Sequence, residues 1–301
     1  MRGKWLHHTD IDLEQWDARV AASHGASIFS TSHYLNATCS NWYAYTDSEI
    51  NCAVPVGVSK KLGVQQIYPP FFHRYSEIVG DSSLFDEEQF SAHIQQHFPK
   101  GVFHSKEHIN GISKSETFVH QTIEHDHFKL KSQAKRMLKK FESSELTVEF
   151  NNDRAKEVLQ LIKYELSKKM ELYASADSSA LDRLISDLPA NIHLKTVVLY
   201  DKHKIQGGLL ALEYKDTVLY LKGTTTASAK KIGGMYALMH HLIKDTMHSK
   251  QIFDFGGSRV EGVRFFNTRF NAKDKTYFCY HWDNSPGWYK FLTRLNQWRK
   301  K

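Results

Sequence analysis

The sequence is poor in the residues that define several classes of protein. Three of its 301 residues are cysteine and six are proline. Cys39, Cys52 and Cys279 form no Cys-x-x-Cys pair and cannot build a disulfide framework, which predicts a reducing compartment. No apolar run approaches the ~18 residues of a membrane span, and the N-terminal segment lacks the apolar core of a signal peptide. We therefore expect a cytoplasmic protein without a membrane span.

Repeats and low-complexity blocks are also missing, which excludes solenoids and propellers. With 41% hydrophobic and 24% charged residues, the composition is that of an ordinary globular protein. The net charge is +7, and the chain has 18 histidines besides. Such a surface attracts anions, whether phosphates, nucleotides, nucleic acid or anionic lipid headgroups, without selecting among them.

Helical and strand patterns alternate from one end of the chain to the other. This alternation predicts an α/β (α+β) fold, and at about 150 residues per domain the length suggests two domains. The charged stretch at residues 124–131 is the predicted boundary, with an N-terminal domain over residues 1–124 and a C-terminal domain over residues 125–301. Residues 207–222 predict a β-hairpin with its tight turn at Lys215 and Asp216.

The segment after this hairpin is a candidate anion site. Apolar residues at helical spacing predict a helix from near Gly233 to about Met247. The pair Gly233 and Gly234 permits close backbone approach, and the first helical turn offers N–H groups at the positive end of the dipole. With Lys230 and Lys231 before it, the turn is a candidate phosphate or pyrophosphate cradle. The alternative is a glycine turn before a core helix, with two solvated lysines.

A second group of polar residues surrounds the short buried strand predicted at residues 252–255. Asp254 interrupts this apolar strand, and a carboxylate there needs a partner. It is a candidate proton acceptor, or else a structural acceptor for the N–H groups of the glycine turn that follows. Beyond the turn, three arginines are candidates to bind an anionic ligand: Arg259, Arg264 and Arg269.

A strongly basic helix is predicted over residues 132–142. Lys135, Arg136, Lys139 and Lys140 surround an apolar stripe. The segment is suited to bind a nucleotide diphosphate or a tRNA backbone. A solvated cationic face on an ordinary helix explains the same pattern, and this alternative stays open.

The histidines form no known metal-binding motif. His104 and His108 have i, i+4 spacing, and His125 and His127 flank Asp126, but neither group has the further ligands of a known site. No Gly-x-Ser-x-Gly sequence and no cysteine nucleophile signature is present. We therefore expect no metal.

Three separated motifs resemble the FemAB-like branch of the GNAT-fold acyltransferases. In this sequence the run FDFGGS, followed by RFFNTRFNA and an aromatic strand, is similar to the closing segment of that branch. Its first-half strand and Pro-Pro-aromatic turn are similar to IYPPFFHRYSEIVG, and its opening segment is similar to SIFSTSHYLNA. The resemblance implies two GNAT-like domains, each a twisted mixed β-sheet flanked by helices. It also implies transfer of an acyl or aminoacyl group to an amine.

The chain departs from the family pattern at three positions. The GNAT pyrophosphate loop is usually Gln/Arg-x-x-Gly-x-Gly/Ala, whereas this sequence has Met235 at the last position. Peptidoglycan-bridge members usually carry Phe-Lys-x-x-Phe-Gly, and this sequence has Asn267 and Asn271 at the lysine and glycine positions. These residues count against acyl-CoA binding and bridge formation, respectively. They motivate an alternative in which a non-catalytic protein keeps the fold and binds an anion or nucleotide.

The predicted function is acyl or aminoacyl transfer to an amine. The cosubstrate is acyl-CoA or aminoacyl-tRNA, and no tightly bound cofactor is expected. The expected acceptor is an amine of a small molecule or of a cell-wall precursor. Transfer RNA is a candidate partner, and DNA is not. A general nucleic-acid-binding role is supported by the positive charge alone. The residues predicted to accept the proton of the amine are Asp254, Glu213 and Tyr220. Those predicted to bind the donor phosphates are Lys230, Lys231, Gly233 and Gly234. Those predicted to bind the acceptor are Arg259, Arg264, Asn267 and Arg269.

Overall fold

The structure is a computed structural model that describes residues 3–47, 50–112, 115–167, 176–257 and 260–298. Its strands, in chain order, are β1 (Lys4–His7), β2 (Trp42–Thr46), β3 (Cys52–Lys61), β4 (Val64–Ile67), β5 (Val79–Gly80), β6 (Lys100–Ser105), β7 (Ser115–Ile123), β8 (Leu146–Phe150), β9 (Ile192–Asp201), β10 (Lys204–Tyr214), β11 (Thr217–Thr225), β12 (Ile252–Asp254) and β13 (Lys273–Asp283). Its helices are α1 (Leu13–Ala22), α2 (Ser32–Thr38), α3 (Glu87–His97), α4 (Ser132–Glu142), α5 (Ala155–Ser167), α6 (Ala176–Ile185), α7 (Ala227–Lys231), α8 (Gly234–His248), α9 (Glu261–Asn267) and α10 (Gly287–Trp298).

Contacts between residues divide the chain into two compact units. The first unit consists of Met1–Phe118 and Thr276–Lys301, and the second of Val119–Lys275. The division between Phe118 and Val119 lies close to the boundary predicted between residues 124 and 125. Residues 276–301, which the sequence assigns to the C-terminal domain, group with the first unit instead. The extent of the independently folding domains stays a prediction.

The sheet of the first unit is mixed, in the order β1-β2-β3-β4-β6-β13, with the short β5 also paired to β3. Along this order, neighbouring strands run antiparallel except β4 and β6, which are parallel. Helix α3 connects these two parallel strands. Phe90 and Ile94 of α3 share a buried cluster with Val56 of β3 and with Tyr280 and Trp282 of β13. The last segment of the chain therefore completes the core of the first unit.

The sheet of the second unit is also mixed, in the order β8-β9-β10-β11-β12-β7. Its neighbours are antiparallel except β11 and β12, which α7 and α8 connect. Leu238 and Leu242 of α8 pack with Val197 and Leu209 on one face of this sheet. Helix α5 covers the other face, where the close packing of Val158 leaves no room for a side chain at position 208.

The two sheets share one pattern of strand directions. Starting from β1 in the first unit and from β8 in the second, three antiparallel pairs are followed by one parallel pair and one further antiparallel pair. In each unit a helical connection joins the two parallel strands, as parallel pairing requires. The predicted α/β (α+β) class with two similar mixed sheets is confirmed.

The periodic elements predicted from the sequence agree with the structure, and two local differences have identifiable causes. The sequence predicts a loop between the hairpin and Gly233, but Ala227–Lys231 form α7. Thr226 caps this helix, because its Oγ1 accepts a hydrogen bond from the Ala229 N–H at 3.4 Å. Strand β1 is too short to predict from its own four residues, and it forms by pairing with β2.

His73 is a buried histidine of the first unit. Its Nε2 lies 3.1 Å from the Phe29 carbonyl oxygen, and its ring lines a small cavity together with Ser76 and His104. Burial lowers the pKa of His73 to about 4; the Phe29 carbonyl opposes this effect and His104 adds to it. The imidazole is therefore neutral in the folded protein at neutral pH.

We predict that mild acid destabilises the first unit through His73. The unfolded chain protonates His73 near its ordinary pKa of 6.5, whereas the folded protein keeps it neutral down to about pH 4. The free energy of unfolding is therefore unaffected by this residue above pH 6.5 and falls by up to about 3 kcal/mol between pH 6.5 and 4. Urea unfolding measures this decrease, and the His73→Gln variant should show a smaller one. Equal decreases in both proteins would contradict the prediction.

Trp282 of β13 anchors the C-terminal segment in the first unit. Its indole N–H donates to the Phe98 carbonyl at 2.7 Å, and its ring covers Gly101, where a Cβ would overlap the ring atoms. We predict that Trp282→Ala lowers the free energy of unfolding by about 3–5 kcal/mol, because it leaves a large cavity in a packed core.

The matched control for this variant is Trp288→Ala, which removes the same side chain from an exposed site on α10. Hydrogen exchange should show faster exchange at β4 and β6 in Trp282→Ala, and unchanged exchange in the control. Loss of protection confined to residues 276–298 would show that this segment does not support the first unit.

Candidate functional site

The start of α8 packs directly against α4. Gly233 has a φ of 94°, in the left-handed region, and a Cβ at this position would collide with the Met137 carbonyl oxygen of α4. A Cβ on Gly234 would lie 2.7 Å from Cδ2 of Leu199 on β9, closer than packed carbon atoms approach. Both glycines are buried. The close approach that the pair permits is therefore to α4 and β9.

Helix α8 nevertheless begins with a free positive end. Among the described residues no side chain caps it. The first amide hydrogens of a helix have no intrahelical acceptor, and the helix dipole places partial positive charge there. The predicted donor-phosphate role of Gly233 and Gly234 thus depends on this helix start. Lys230 and Lys231, at the end of α7, are exposed beside it.

Cations from three segments surround the start of α8. The Lys140 ammonium of α4 donates to the Lys231 carbonyl at 3.0 Å, and the Lys131 N–H donates to the Arg269 carbonyl at 2.9 Å. Burial raises the pKa of Tyr236 in the first turn of α8, while the charges of Arg269 and Arg136 lower it in part. The basic helix and the glycine turn, about a hundred residues apart in the sequence, therefore meet in the second unit.

Arg269 is the most constrained of these cations. Its guanidinium carbon lies 3.6 Å from the centre of the Phe265 ring. Its Nε is buried and has no hydrogen-bond partner among the described residues. A buried donor without an acceptor costs about 1–3 kcal/mol, so an anionic ligand that reached this nitrogen would be stabilised. We name Arg136, Lys140, Lys230, Lys231 and Arg269 together the basic cluster.

Strand β11 extends beyond the end of its parallel neighbour. Strand β12 pairs with Thr217–Leu219 and ends at Asp254, so the ladder between these two strands stops at Leu219, whereas β11 continues to Thr225. The pairing of β10 with β11 also shifts register between Leu210 and Ala211, which leaves Leu221 as a bulge.

Asp254 forms a buried polar group with two residues of β7. It pairs with Thr122 across the sheet, and its Oδ2 lies 3.7 Å from Nδ1 of His120. Exposure is 6% for Asp254, 7% for His120 and 7% for Thr122, whose hydroxyl has no hydrogen-bond partner among the described residues. The Asp254 Oδ1 accepts from the Gly256 N–H at 2.9 Å. Asp254 therefore accepts a hydrogen bond from the glycine turn, which is the structural role that the sequence offers as an alternative. Its other carboxylate oxygen faces His120.

Glu213 lies apart from this group, on the opposite face of the sheet. Glu213 pairs with Val218, whereas Asp254 pairs with the next residue of β11, and neighbouring side chains alternate between faces. Its Oε2 lies 3.0 Å from Lys195 Nζ, and its Oε1 accepts from Gln251 at 2.9 Å. Burial raises the pKa of Glu213, but these two bonds outweigh it and hold the pKa below its usual value. The carboxylate is thus occupied by an ion pair.

Tyr220 lies on the same face as Glu213. It pairs with Ala211 across the hairpin. Burial raises the pKa of its phenol well above the usual value, despite a hydrogen bond with the backbone of Gly223. A phenol that is so hard to ionise is poorly suited to accept a proton. The structure therefore does not bring the three predicted proton acceptors together.

The predicted acceptor residues have diverse surroundings. The Arg264 guanidinium is exposed and forms a close ion pair with Asp274. Asn267 is 2% exposed, which leaves its side chain almost no surface for a ligand. Arg269 belongs to the basic cluster, and Arg259 lies outside the described residues. Of the three that the structure describes, Arg269 is the residue that lies near the predicted donor site.

His120 is the site residue that sequence reasoning missed. Local sequence gives no signal for it, because His120 is followed by the polar residues Gln121 and Thr122. Its relevance appears only when β7 pairs with β12, which brings residues more than a hundred positions apart together. Within the described residues no group of three metal-binding side chains forms at this or any other position.

Comparison with protein families supports the fold assignment. Residues 129–263 match the model of the acetyltransferase (GNAT) domain. The matched segment contains α4, the basic cluster apart from Arg269, and Asp254. Comparison of the whole sequence with curated proteins gives no match.

Solved structures with similar folds extend over nearly the whole chain. FemX has 12% identity and a TM-score of 0.60, with 91% of this chain and 96% of that chain covered. L-PGS from Bacillus licheniformis has 14% identity and a TM-score of 0.59, with coverages of 93% and 95%. A tandem GNAT protein from the clavulanic acid biosynthesis pathway has 8% identity and a TM-score of 0.51, with coverages of 95% and 99%. The chain thus has the tandem GNAT-type fold, and the predicted resemblance to the FemAB-like branch is confirmed.

Proposed function

We propose that the second unit transfers an acyl or aminoacyl group from a phosphate-bearing donor to an amine. The observation that carries this proposal is that the basic cluster lies at the start of α8, which has no side-chain cap among the described residues, with the part of β11 that extends beyond β12 leading into it. A GNAT-type fold hosts many functions, so the fold alone does not decide the activity. The three features together match a ligand with an anionic end and an extended arm.

The donor binds with its phosphates at the basic cluster and its arm along β11. Amide groups of an extended arm pair with the backbone of β11 beyond Leu219, where the ladder with β12 has ended, as a further strand does. The pantetheine arm of acyl-CoA has this chemistry. The exposed Lys135 and Lys139 of α4 extend the positive surface beyond the reach of one diphosphate, which favours a polyanion such as aminoacyl-tRNA. The experiment below distinguishes the two donors.

His120 is the proton acceptor in this proposal, and Asp254 positions it. The amine nitrogen attacks the donor's carbonyl carbon, the carbon–sulfur or carbon–oxygen bond to the thiolate or ribose breaks, and His120 takes the amine proton. The orphan hydroxyl of Thr122 lies on the same face and is available to donate to a substrate. Backbone N–H groups of β11 beyond the end of β12 stabilise the oxyanion that develops on the carbonyl.

The acceptor is an amine of a small molecule or a cell-wall precursor, as the resemblance to the FemAB-like branch implies. Cys39, Cys52 and Cys279 are buried and form no disulfide, which agrees with the reducing conditions of the cytoplasm. We therefore place the reaction there.

One observation favours a second candidate, a non-catalytic protein that binds an anionic nucleotide. Glu213 is held by Lys195 and Gln251, and the Tyr220 phenol is buried, so two of the three predicted proton acceptors are occupied. In this alternative the basic cluster binds the ligand and His120 has no chemical role. Donor binding without turnover would support it.

We predict that the double variant Arg136→Glu/Lys230→Glu weakens donor binding. Reversing two cations at the start of α8 replaces attraction of the phosphates by repulsion, so the Kd should rise at least about tenfold at low salt. Calorimetric titration with CoA and fluorescence anisotropy with tRNA measure the effect separately. The donor whose affinity falls is the one that the cluster binds.

The matched control is Lys156→Glu/Lys204→Glu, which reverses two exposed lysines of the same unit that lie outside the basic cluster. The control changes the net charge equally, so a general effect of charge would appear in both variants. Equal weakening in the two would refute a specific role for the cluster.

We predict that His120→Ala reduces kcat by about 10²–10⁴-fold while the donor KM stays close to the wild-type value, because general base catalysis is worth this much. Asp254→Asn should reduce kcat less, since it disturbs only the orientation of the ring. Glu213→Gln, which alters an ion pair on the opposite face, is the control and should keep its activity. An unchanged kcat in His120→Ala would exclude His120 as the base.

A further inference from the structure

Helix α10, in the first unit, exposes an apolar stripe. The exposed fractions of its large side chains are 53% for Trp288, 63% for Phe291, 40% for Leu292 and 43% for Leu295. Their spacing of i, i+3, i+4 and i+7 places all four on one face of the helix. An exposed apolar patch of this kind indicates a surface that another molecule or phase covers.

The opposite side of α10 holds the helix on the first unit. Tyr289 is 1% exposed, its hydroxyl donates to Oε1 of Gln66 at 3.2 Å, and the Lys100 ammonium lies 5.7 Å from the centre of its ring. Lys290 donates to the Asp283 carbonyl at 3.0 Å just before the helix. The first unit therefore packs against other residues of α10 and leaves the stripe exposed.

The charge around the stripe is positive. Residues 287–298 contain no aspartate or glutamate, and the exposed Arg294 follows the stripe along the helix. In the sequence, Arg299, Lys300 and Lys301 come next. This charge complements an anionic surface and opposes the pairing of two copies of α10, which would bring like charges together.

We propose that α10 docks the protein on the surface of an anionic lipid bilayer. Trp288, Phe291, Leu292 and Leu295 enter the interface between headgroups and acyl chains, with the helix in the membrane plane and Arg294 near the lipid phosphates. Tryptophan is enriched at this depth. No helix among the described residues has the length and apolar character needed to cross a bilayer, so docking is peripheral. This inference is independent of the proposed transfer reaction.

The test is sedimentation of the full chain with vesicles at low salt. Wild-type protein should bind vesicles of phosphatidylcholine with 30% phosphatidylglycerol, about tenfold or more strongly than pure phosphatidylcholine vesicles, and lose binding as salt rises. Phe291→Ser/Leu295→Ser should reduce the partition coefficient at least about tenfold, because burial of each apolar side chain is worth roughly that factor or more. Arg294→Glu should reduce binding to the anionic vesicles without altering the apolar stripe.

Leu62→Ser/Leu84→Ser is the matched control, since it removes two leucines that are 45% and 50% exposed elsewhere in the same unit. It should bind like the wild type. Circular dichroism and urea unfolding establish that each variant is folded. Failure of the wild type to bind anionic vesicles, or equal binding by the stripe variant, would overturn the proposal. Self-association without lipid that the stripe variant loses would assign the stripe to a second copy of the chain instead.

Discussion

The contact between the backbone of α4 and Gly233 is the constraint on which the candidate site depends. A side chain at this position would collide with the Met137 carbonyl, and the φ of 94° disfavours any residue with a Cβ. Glycine lets α4 lie against the start of α8. The cations of α4 then reach the end of α7, where Lys140 bonds the Lys231 carbonyl. The packing of α4 therefore accounts for glycine at position 233, and a phosphate-binding role of Gly233 and Gly234 stays a prediction.

Elements with strong local periodicity are predictable from the sequence alone. Helix α4 has the bounds that the pattern predicts, and the hairpin of β10 and β11 turns at Lys215 and Asp216. Elements that depend on distant partners are not predictable in this way. Strand β13 belongs with β6, a pairing that no feature of residues 276–301 discloses, because cross-strand register is set by packing and not by local preference.

The same division applies to the site. Lys230, Lys231 and the start of a helix follow from local sequence, and the structure places Arg269 with them. The choice of proton acceptor does not follow from local sequence. Glu213 and Asp254 are similar as carboxylates in strands, but the register of β11 puts them on opposite faces. His120 becomes a candidate only through its distance of 3.7 Å from Asp254.

The repeated architecture of the two units sharpens the argument for one donor site. In the first unit the helix between the parallel strands is α3, whose start is capped by Asp86, with Glu87 and Glu88 in its first turn. Asp86 accepts from the Gln89 N–H, and the three carboxylates offset the positive end of the helix dipole, so a phosphate is repelled there. In the second unit the corresponding helix, α8, has no acid in its first turn and no side-chain cap among the described residues. The two helix starts therefore differ in the electrostatics that an anionic donor requires, and this difference favours the second unit for the donor site that we propose.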